Sequence, residues 1–186
     1  MKKIVLFASG NGSNAEKIIL HFKKSTFANV VSIFSNNSNA KVLEIAKKYE
    51  IETVLFDIMD LNDGFVLKKL QETQPDLIVL AGFLLKFPES IIANYPNKVI
   101  NIHPALLPKY GGKGMYGTRV HEAVIAAGEK ESGITIHWVN EHYDEGGIIF
   151  QATCEVVSGD TPETLADKIH LLEHAHFAPT IAKLLG

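Results

Sequence analysis

A regular alternation of short apolar runs with segments of helical periodicity is the feature of this chain that most constrains its fold. Apolar runs occupy residues 3–8, 29–34, 52–56 and 76–81, and apolar residues at helical spacing mark 15–22, 40–49 and 64–73. Strands that alternate with helices of about 10 to 15 residues imply βαβ crossovers, which build a parallel sheet with helices on both faces. The sequence therefore predicts an α/β fold: a single domain with a doubly wound, mostly parallel sheet.

The carboxyl-terminal half departs from this alternation. Apolar and polar side chains alternate over 134–139, and another strand pattern follows at 148–155 after a loop of hairpin length. We expect these two strands to form an antiparallel pair that runs against the main direction of the sheet, with 134–139 half-buried or at an edge. A helix is predicted over 118–127, and another from an N-cap at Thr161 to about Leu184.

The composition is that of an ordinary globular protein, with 46% hydrophobic and 21% charged residues in a chain of 186. A net charge of −3 lacks the Lys/Arg excess that a nucleic-acid backbone requires, so we expect no nucleic-acid partner. The apolar run after Met1 is too short for a secretory signal, and no membrane partner is expected. The single cysteine, Cys154, excludes an intrachain disulfide and favours the reducing cytoplasm.

The run Val99-Ile-Asn-Ile-His-Pro104 ends a buried strand with an amide and an imidazole. Pro104 has no N–H to continue the ladder, so Asn101 and His103 alternate onto one face at the carboxyl end of the strand. Ligands of open parallel sheets bind at this edge. An amide beside a group that titrates near neutral pH suits polarisation of a carbonyl and transfer of one proton. The structural alternative is a polar strand end that caps its own turn.

The turn after the first strand, Ser9-Gly-Asn-Gly-Ser-Asn14, leads directly into a helix. This geometry aims backbone N–H groups and the positive end of the helix dipole at an anion, and Ser13 and Asn14 can cap the helix or donate to phosphate. The turn also fits the dinucleotide pattern G-x-G-x-x-A. However, the second strand ends in Ser35-Asn-Asn-Ser38, without the acid that holds a ribose diol. A small phosphomonoester is therefore favoured over a nicotinamide cofactor.

Two loops are candidates to surround a ligand at the same edge. Residues 82–88 expose apolar groups after a strand, either as a slot for a flat ring system or as the start of a helix that packs on the core. Residues 109–117 are too rich in glycine for regular structure and predict a mobile loop over the site. Asp144 lies in an acidic turn at 140–147.

His170-Leu-Leu-Glu-His174 fits the H-x-x-E-H pattern of inverted zinc proteases. A catalytic zinc needs a third protein ligand, and no suitable acid-bearing helix follows in the remaining residues, so a metal is not expected. Glu173 lies four residues after the apolar Ile169 on the same helix and borders its buried stripe. We therefore expect Glu173 to face a crevice.

Four motifs, in order, carry a resemblance that covers essentially the whole chain. They are Ser-Gly-Asn-Gly-Ser-Asn at 9–14, Leu-Ala-Gly-Phe at 80–83, Asn-Ile-His-Pro-Ala-Leu-Leu-Pro at 101–108 and Asp-Glu-Gly-Gly at 144–147. The chain resembles the phosphoribosylglycinamide formyltransferases, folate-dependent enzymes of purine synthesis with a Rossmann-like fold. The Asn-x-His with a distant Asp marks the wider formyl-transfer family, and the amino-terminal turn narrows the resemblance towards a phosphoribosyl substrate.

The resemblance implies transfer of formyl from 10-formyltetrahydrofolate to the amine of glycinamide ribonucleotide, without a metal. It implies that the catalytic set is Asn101, His103 and Asp144, that phosphate is held by Asn11, Gly12 and Ser13, and that ribose is held by Glu173. The folate is expected to lie against Leu84, Leu85, Lys86, Phe87, Asn101, Asn140, Glu141, His142, Tyr143 and Asp144.

The same resemblance implies a division of labour within one domain spanning 1–186. Residues 1–98 form the phosphate-binding half, and 99–186 form the formyl-transfer and folate half. Leu85 stands where some members have an arginine, and no arginine occurs in 56–87, which leaves the contacts of the folate glutamate tail open. Monomer and homodimer both remain open as oligomeric states.

Formyl transfer to an amine passes through a tetrahedral intermediate with a developing oxyanion, which fits these residue types. Asn101 and a protonated His103 are expected to donate to that oxygen. Ionised Asp144 is expected to keep the imidazole positive and, through a water, to help carry the amine's proton to the departing nitrogen.

Three other functions use parts of the same pattern. A formyltetrahydrofolate hydrolase would use the same formyl-handling residues with water as acceptor, but its usual amino-terminal regulatory domain is not in this sequence. A methionyl-tRNA formyltransferase would need a nucleic-acid domain and a basic face. A non-catalytic nucleotide- or folate-binding module would keep the fold without turnover, and the intact set of Asn101, His103 and Asp144 argues against it.

Overall fold

Seven strands and seven helices make up the computed structural model, which describes all 186 residues. The strands are β1 (Lys2–Phe7), β2 (Ala28–Ser35), β3 (Glu52–Leu55), β4 (Leu77–Leu80), β5 (Val99–His103), β6 (Glu131–Trp138) and β7 (Ile148–Glu155). The helices are α1 (Ser13–Phe22), α2 (Val42–Lys48), α3 (Ile58–Asn62), α4 (Phe65–Thr73), α5 (Glu89–Asn94), α6 (Thr118–Ala126) and α7 (Pro162–Leu185). All strands join one sheet in the order β3-β2-β1-β4-β5-β6-β7.

The first five strands are parallel to one another, as the alternation of strands and helices predicted. The sheet extends from β1 in both directions, with β2 and β3 on one side and β4 and β5 on the other. The strand order therefore reverses between β1 and β4, and ligands of open α/β sheets bind in the crevice that such a reversal leaves at the carboxyl ends of the strands. The doubly wound, mostly parallel fold is confirmed.

The two carboxyl-terminal strands form the predicted antiparallel pair, but only one of them runs against the sheet. β6 is antiparallel to both β5 and β7, so β7 returns to the direction of the parallel strands. The expectation that both strands run against the sheet was wrong, because two strands joined as a hairpin must point in opposite directions.

The alternating sequence of β6 predicted a half-buried strand or an edge strand. β6 is neither, since every residue from Ser132 to His137 is buried. β7 covers its outer edge, and the segment after β5 covers its polar positions. The Thr135 hydroxyl accepts from the Leu107 N–H at 3.0 Å and donates to the Ala105 carbonyl at 2.7 Å. A polar side chain satisfied in this way is buried without penalty, which alternation alone does not reveal.

Apolar side chains pack on both faces of the sheet. α1, α2, α6 and α7 contribute to a cluster of 26 buried residues, and α3, α4 and α5 contribute to another of 13 on the opposite face. α3 was not predicted because its five residues are too few to show helical periodicity. α7 begins as expected, with the Thr161 hydroxyl accepting from the Thr164 N–H. None of the helices combines the length and the apolar character needed to cross a membrane.

Candidate active site

A cavity of about 550 Å³ lies at the carboxyl ends of β1, β4 and β5, where the strand order reverses. The turn after β1, the loops that follow β4, β5 and β6, and residues of α6 and α7 line it. Every site residue expected from the sequence lies on this one cavity: Asn11, Gly12, Ser13, Leu84, Leu85, Lys86, Phe87, Asn101, His103, Asn140, Glu141, His142, Tyr143, Asp144 and Glu173. The residues expected to contact phosphate, formyl and folate therefore share a single space.

At one end of the cavity, the turn after β1 presents the amino terminus of α1. Gly12 occupies the N-cap position with φ of 75°, a left-handed conformation that favours glycine, and a Cβ there would lie 2.6 Å from Val42 Cγ2. No side chain caps the helix, so its first-turn N–H groups and the positive end of its dipole face the cavity uncapped. This end is built to bind an anion through backbone N–H groups.

Glu173 of α7 borders the same end of the cavity. It is hydrogen-bonded to Asn14, which the sequence suggested as a cap of α1. Asn14 Nδ2 donates to Glu173 Oε2 at 2.9 Å, and the carboxyl is 7% exposed. Burial raises the pKa of Glu173, partly opposed by the hydrogen bond from Asn14. A buried carboxylate held at one oxygen keeps its other oxygen available for hydroxyl donors of a ligand.

Three histidines without a predicted ligand role also line this end: His121, His170 and His174. The rings of His170 and His174 flank Glu173 on α7 with their centroids 6.4 Å apart. Burial lowers the pKa of His121 and of His174, which favours their neutral forms. His121 gave no sequence signal because a single histidine on the inner face of an amphipathic helix resembles any other core position.

The centre of the cavity brings together Asn101, His103 and Asp144, which lie far apart in the chain. Asn101 and His103 are on β5, two residues apart and therefore on one face. The turn after β6 carries Asp144 to them, with Asp144 Oδ2 3.5 Å from His103 Nδ1. Asp144 takes a left-handed backbone conformation, with φ of 57°. The three groups needed to stabilise an oxyanion and move a proton therefore converge.

His103 is not the resident cation that the sequence suggested. Its Nε2 lies 2.8 Å from the Tyr110 carbonyl, which only accepts, so Nε2 carries the proton and the neutral ring presents a lone pair at Nδ1. Burial lowers the pKa of His103, against the opposing effects of Asp144 and of the hydrogen bond to the Tyr110 carbonyl, and favours the neutral ring near pH 7. The protonated His103 expected from the sequence is corrected accordingly: the resting imidazole is a proton acceptor at Nδ1.

Asp144 is favoured as a carboxylate by the glycine-rich loop and by the positive charge that two neighbouring imidazoles can carry. Burial opposes its ionisation, but His137 and His103, as favourable partners when protonated, and the Gly112 N–H outweigh burial and hold the pKa of Asp144 below its usual value. Gly112 N donates to Asp144 Oδ2 at 3.0 Å. The Tyr110 carbonyl accepts from His103 Nε2. The backbone of 110–112 therefore helps to position both His103 and Asp144.

The other end of the cavity is lined by residues 84–87 and 140–143. Phe87 belongs to the core, with its ring edge-on to Phe7 at a centroid distance of 5.1 Å, whereas Leu84 is 53% exposed. The segment 82–88 thus combines the two readings of the sequence, since it lines an apolar slot and precedes α5, which packs on the core. Lys86 is the only lysine or arginine among the residues that line the cavity.

A substitution of Gly111 by alanine tests whether the loop positions Asp144. A Cβ at Gly111 would lie 2.5 Å from Leu107 Cδ2 and 3.2 Å from Asp144 Cβ, so Asp144 must shift by a few tenths of an ångström. We expect kcat to fall about tenfold, because small misplacements of catalytic groups are costly.

The matched control is Gly147→Ala in the adjoining loop, where a Cβ would meet only Trp138 Cδ1 at 3.7 Å, an ordinary contact. Both variants should unfold at similar temperatures. Equal kcat for the two variants would contradict a positioning role for the loop.

Comparison with known proteins gives a consistent result. The sequence profile described as Formyl transferase matches residues 2–181. Phosphoribosylglycinamide formyltransferase of Bacillus subtilis is 35% identical over 192 residues, covering 100% of this chain and 96% of that protein. The chloroplastic enzymes of the same name from Arabidopsis thaliana and Vigna unguiculata are 36% and 37% identical, and the chain spans 65% and 61% of their lengths.

Solved structures agree in fold over the whole chain. The phosphoribosylglycinamide formyltransferase of Bacillus halodurans has a TM-score of 0.91 at 35% identity and covers 100% of this chain and 96% of its own. The glycinamide ribonucleotide transformylase 1 of Geobacillus kaustophilus has a TM-score of 0.91 at 32% identity, with 100% of both chains covered. The chain therefore belongs to the formyl transferase family.

Proposed function

We propose that this protein transfers the formyl group of 10-formyltetrahydrofolate to the amine of glycinamide ribonucleotide, a step of purine synthesis. The convergence of Asn101, His103 and Asp144 midway between an anion-binding helix terminus and an apolar slot carries the proposal. A phosphorylated amine and a flat formyl donor would meet there. The relatives named phosphoribosylglycinamide formyltransferase support this substrate pair.

The ribonucleotide would lie against the turn after β1. Its phosphate would accept from backbone N–H groups at Gly12 and Ser13, with Asn11 beside them, because the α1 terminus is uncapped. Its ribose hydroxyls would donate to Glu173, whose position is fixed by Asn14. These contacts direct the glycinamide amine towards β5.

The formyl donor would fill the opposite end, with its ring system between 84–87 and 140–143. The bound folate supplies the formyl carbon on its N10. Asn101 would donate to the formyl oxygen as the amine attacks and negative charge develops there. Such a donor is worth about 10² to 10³ in turnover.

His103 and Asp144 would move the proton. The C–N bond to the amine forms, His103 Nδ1 accepts the proton that this nitrogen loses, and Asp144 stabilises the resulting imidazolium at 3.5 Å. His103 then returns the proton to N10 as the bond between N10 and the formyl carbon breaks. The products are the formylated ribonucleotide and tetrahydrofolate, and no proton or electron is left over. No metal has a part in this scheme.

Lys86 would be the cation for the carboxylates of the folate tail. Its Nζ is only loosely paired, 3.5 Å from Glu89 Oε1, and its side chain is 49% exposed at the folate end. We expect Lys86→Ala to raise KM for the formyl donor about threefold to tenfold, as is usual for an exposed charge pair, and to leave KM for the ribonucleotide unchanged.

The matched control is Lys98→Ala, an exposed lysine outside the cavity. Steady-state kinetics with a donor that carries the glutamate tail and one that lacks it provide the measurement. If Lys86→Ala affects both donors equally, Lys86 does not bind the tail.

The function itself is tested by release of tetrahydrofolate from the 10-formyl donor with and without glycinamide ribonucleotide. Release that depends on the ribonucleotide supports the transferase. Equal release in both cases indicates a formyltetrahydrofolate hydrolase, and binding of both ligands without release indicates a non-catalytic module. Because the single cysteine favours a reducing compartment, we place this activity in the cytoplasm.

A further inference from the structure

His137 is buried in the site but has no part in the scheme above. It lies on β6 directly opposite Asn101 of β5 in the antiparallel register, and it is 2% exposed. Its Nδ1 is 2.9 Å from the Trp138 carbonyl oxygen, and its Nε2 is 3.1 Å from Asn101 Nδ2. The ring therefore connects the backbone of β6 to the amide that faces the formyl group.

The Trp138 carbonyl determines where the proton of His137 lies. A carbonyl oxygen only accepts hydrogen bonds, so the bond at 2.9 Å places the proton on Nδ1. With its proton on Nδ1, the ring accepts at Nε2 from Asn101 Nδ2 at 3.1 Å. Asp144 Oδ1, 3.5 Å from the same Nε2, is an acceptor too and cannot replace Asn101 as the donor.

This tautomer selects one orientation of the Asn101 amide. The NH₂ group must face His137, because the amide oxygen against the bare Nε2 would bring two acceptors together. The Asn101 side chain makes no other hydrogen bond in the structure. Without His137, the amide is free to rotate by 180° and to present its oxygen where the donor stood.

We propose that His137 is a positioning residue that, through its Nδ1–H tautomer, holds Asn101 with its NH₂ group towards Nε2 and so keeps the second N–H of that group available to the formyl oxygen. The proposal rests on the proposed function for its catalytic consequence. Its structural part concerns the protein alone.

The first test is the tautomer itself, measured by NMR of the unaltered protein labelled uniformly with ¹³C and ¹⁵N, with the ring signals of His137 assigned through their bonds to its own backbone. We expect a protonated Nδ1 and an unprotonated Nε2 at neutral pH. A proton on Nε2, whether or not Nδ1 also carries one, would overturn the proposal whether or not the protein transfers formyl. This measurement also decides the matter if a substitution at His137 prevents folding.

The second test is a double-mutant cycle between His137→Phe and Asn101→Ala. The phenylalanine fills the space of the ring without an acceptor, and we expect kcat to fall about 10- to 100-fold with KM for both substrates little changed. In the Asn101→Ala background the same change should have no further effect on kcat, since there is no amide to orient.

His137→Gln supplies the conservative variant, because its side-chain oxygen can accept from Asn101. We expect it to recover most of the kcat lost in His137→Phe. A His137→Phe enzyme with full kcat, or a loss repeated in full in the Asn101→Ala background, would show that His137 does not act through Asn101. If the parent enzyme transfers no formyl, the proposed function fails, and the NMR result still decides the structural part.

Discussion

His103→Ala is expected to lower kcat by about two to three orders of magnitude, with little change in KM for either substrate. The imidazole is 3% exposed and faces Asp144 through Nδ1, and in the proposed mechanism it accepts the proton of the attacking amine. In the alanine variant no group accepts the proton of the attacking amine, and no group donates a proton to N10 of the folate. The substitution leaves the residues at the two substrate-binding ends of the cavity unchanged, so KM for both substrates should also be unchanged.

Two comparisons separate this effect from a general loss of structure. His21→Ala, an exposed histidine outside the cavity, should keep full kcat, and thermal unfolding should show that His103→Ala is folded at the assay temperature. A folded His103→Ala enzyme with normal turnover would remove His103 from the mechanism.

Asp144→Asn is expected to lower kcat by about two orders of magnitude. The carboxylate lies 3.5 Å from His103, and in the proposed mechanism it stabilises the imidazolium formed during transfer. Asparagine keeps the size of the side chain and removes the charge. Asp167→Asn, an exposed position on α7 outside the cavity, is the matched control.

The pH dependence of kcat gives Asp144 a second, independent test. Burial lowers the pKa of His103 below 6.5, while Asp144 raises it, so neutral His103 predominates at pH 7 and kcat should fall only below about pH 6.5. Removing Asp144 takes away the group that raises this pKa, so the acid limb should move to lower pH in Asp144→Asn. The amine has the same pKa with both enzymes, and a shift in the opposite direction would contradict the assignment.

The sequence was sufficient to predict the parallel half of the sheet and the cavity edge. Strands that are buried on both faces, such as β4, are continuous apolar runs in the sequence. Pro104 marks the carboxyl end of β5, where Asn101 and His103 lie. Both signals are local, so each is readable without knowledge of the rest of the chain. The placement of Glu173 at the crevice followed in the same way, from its distance to the buried Ile169 on one helix.

What the sequence could not give depends on contacts between distant segments. β6 is buried because residues 105–107 satisfy Thr135, and the direction of β7 follows from the hairpin that adds it to the sheet. The neutral state of His103 depends on its burial, and the position of its proton depends on the Tyr110 carbonyl; neither is visible in the pattern Asn-x-His. Residues 110–112 were predicted only as a mobile loop, whereas their backbone contacts both His103 and Asp144.

The most direct test of the account follows the formyl carbon. With 10-formyltetrahydrofolate labelled with ¹³C in the formyl group, we expect the label to appear on the amine nitrogen of glycinamide ribonucleotide, with one tetrahydrofolate released for each label transferred. Label recovered as formate, or label that stays on the folate while both ligands are bound, would contradict it.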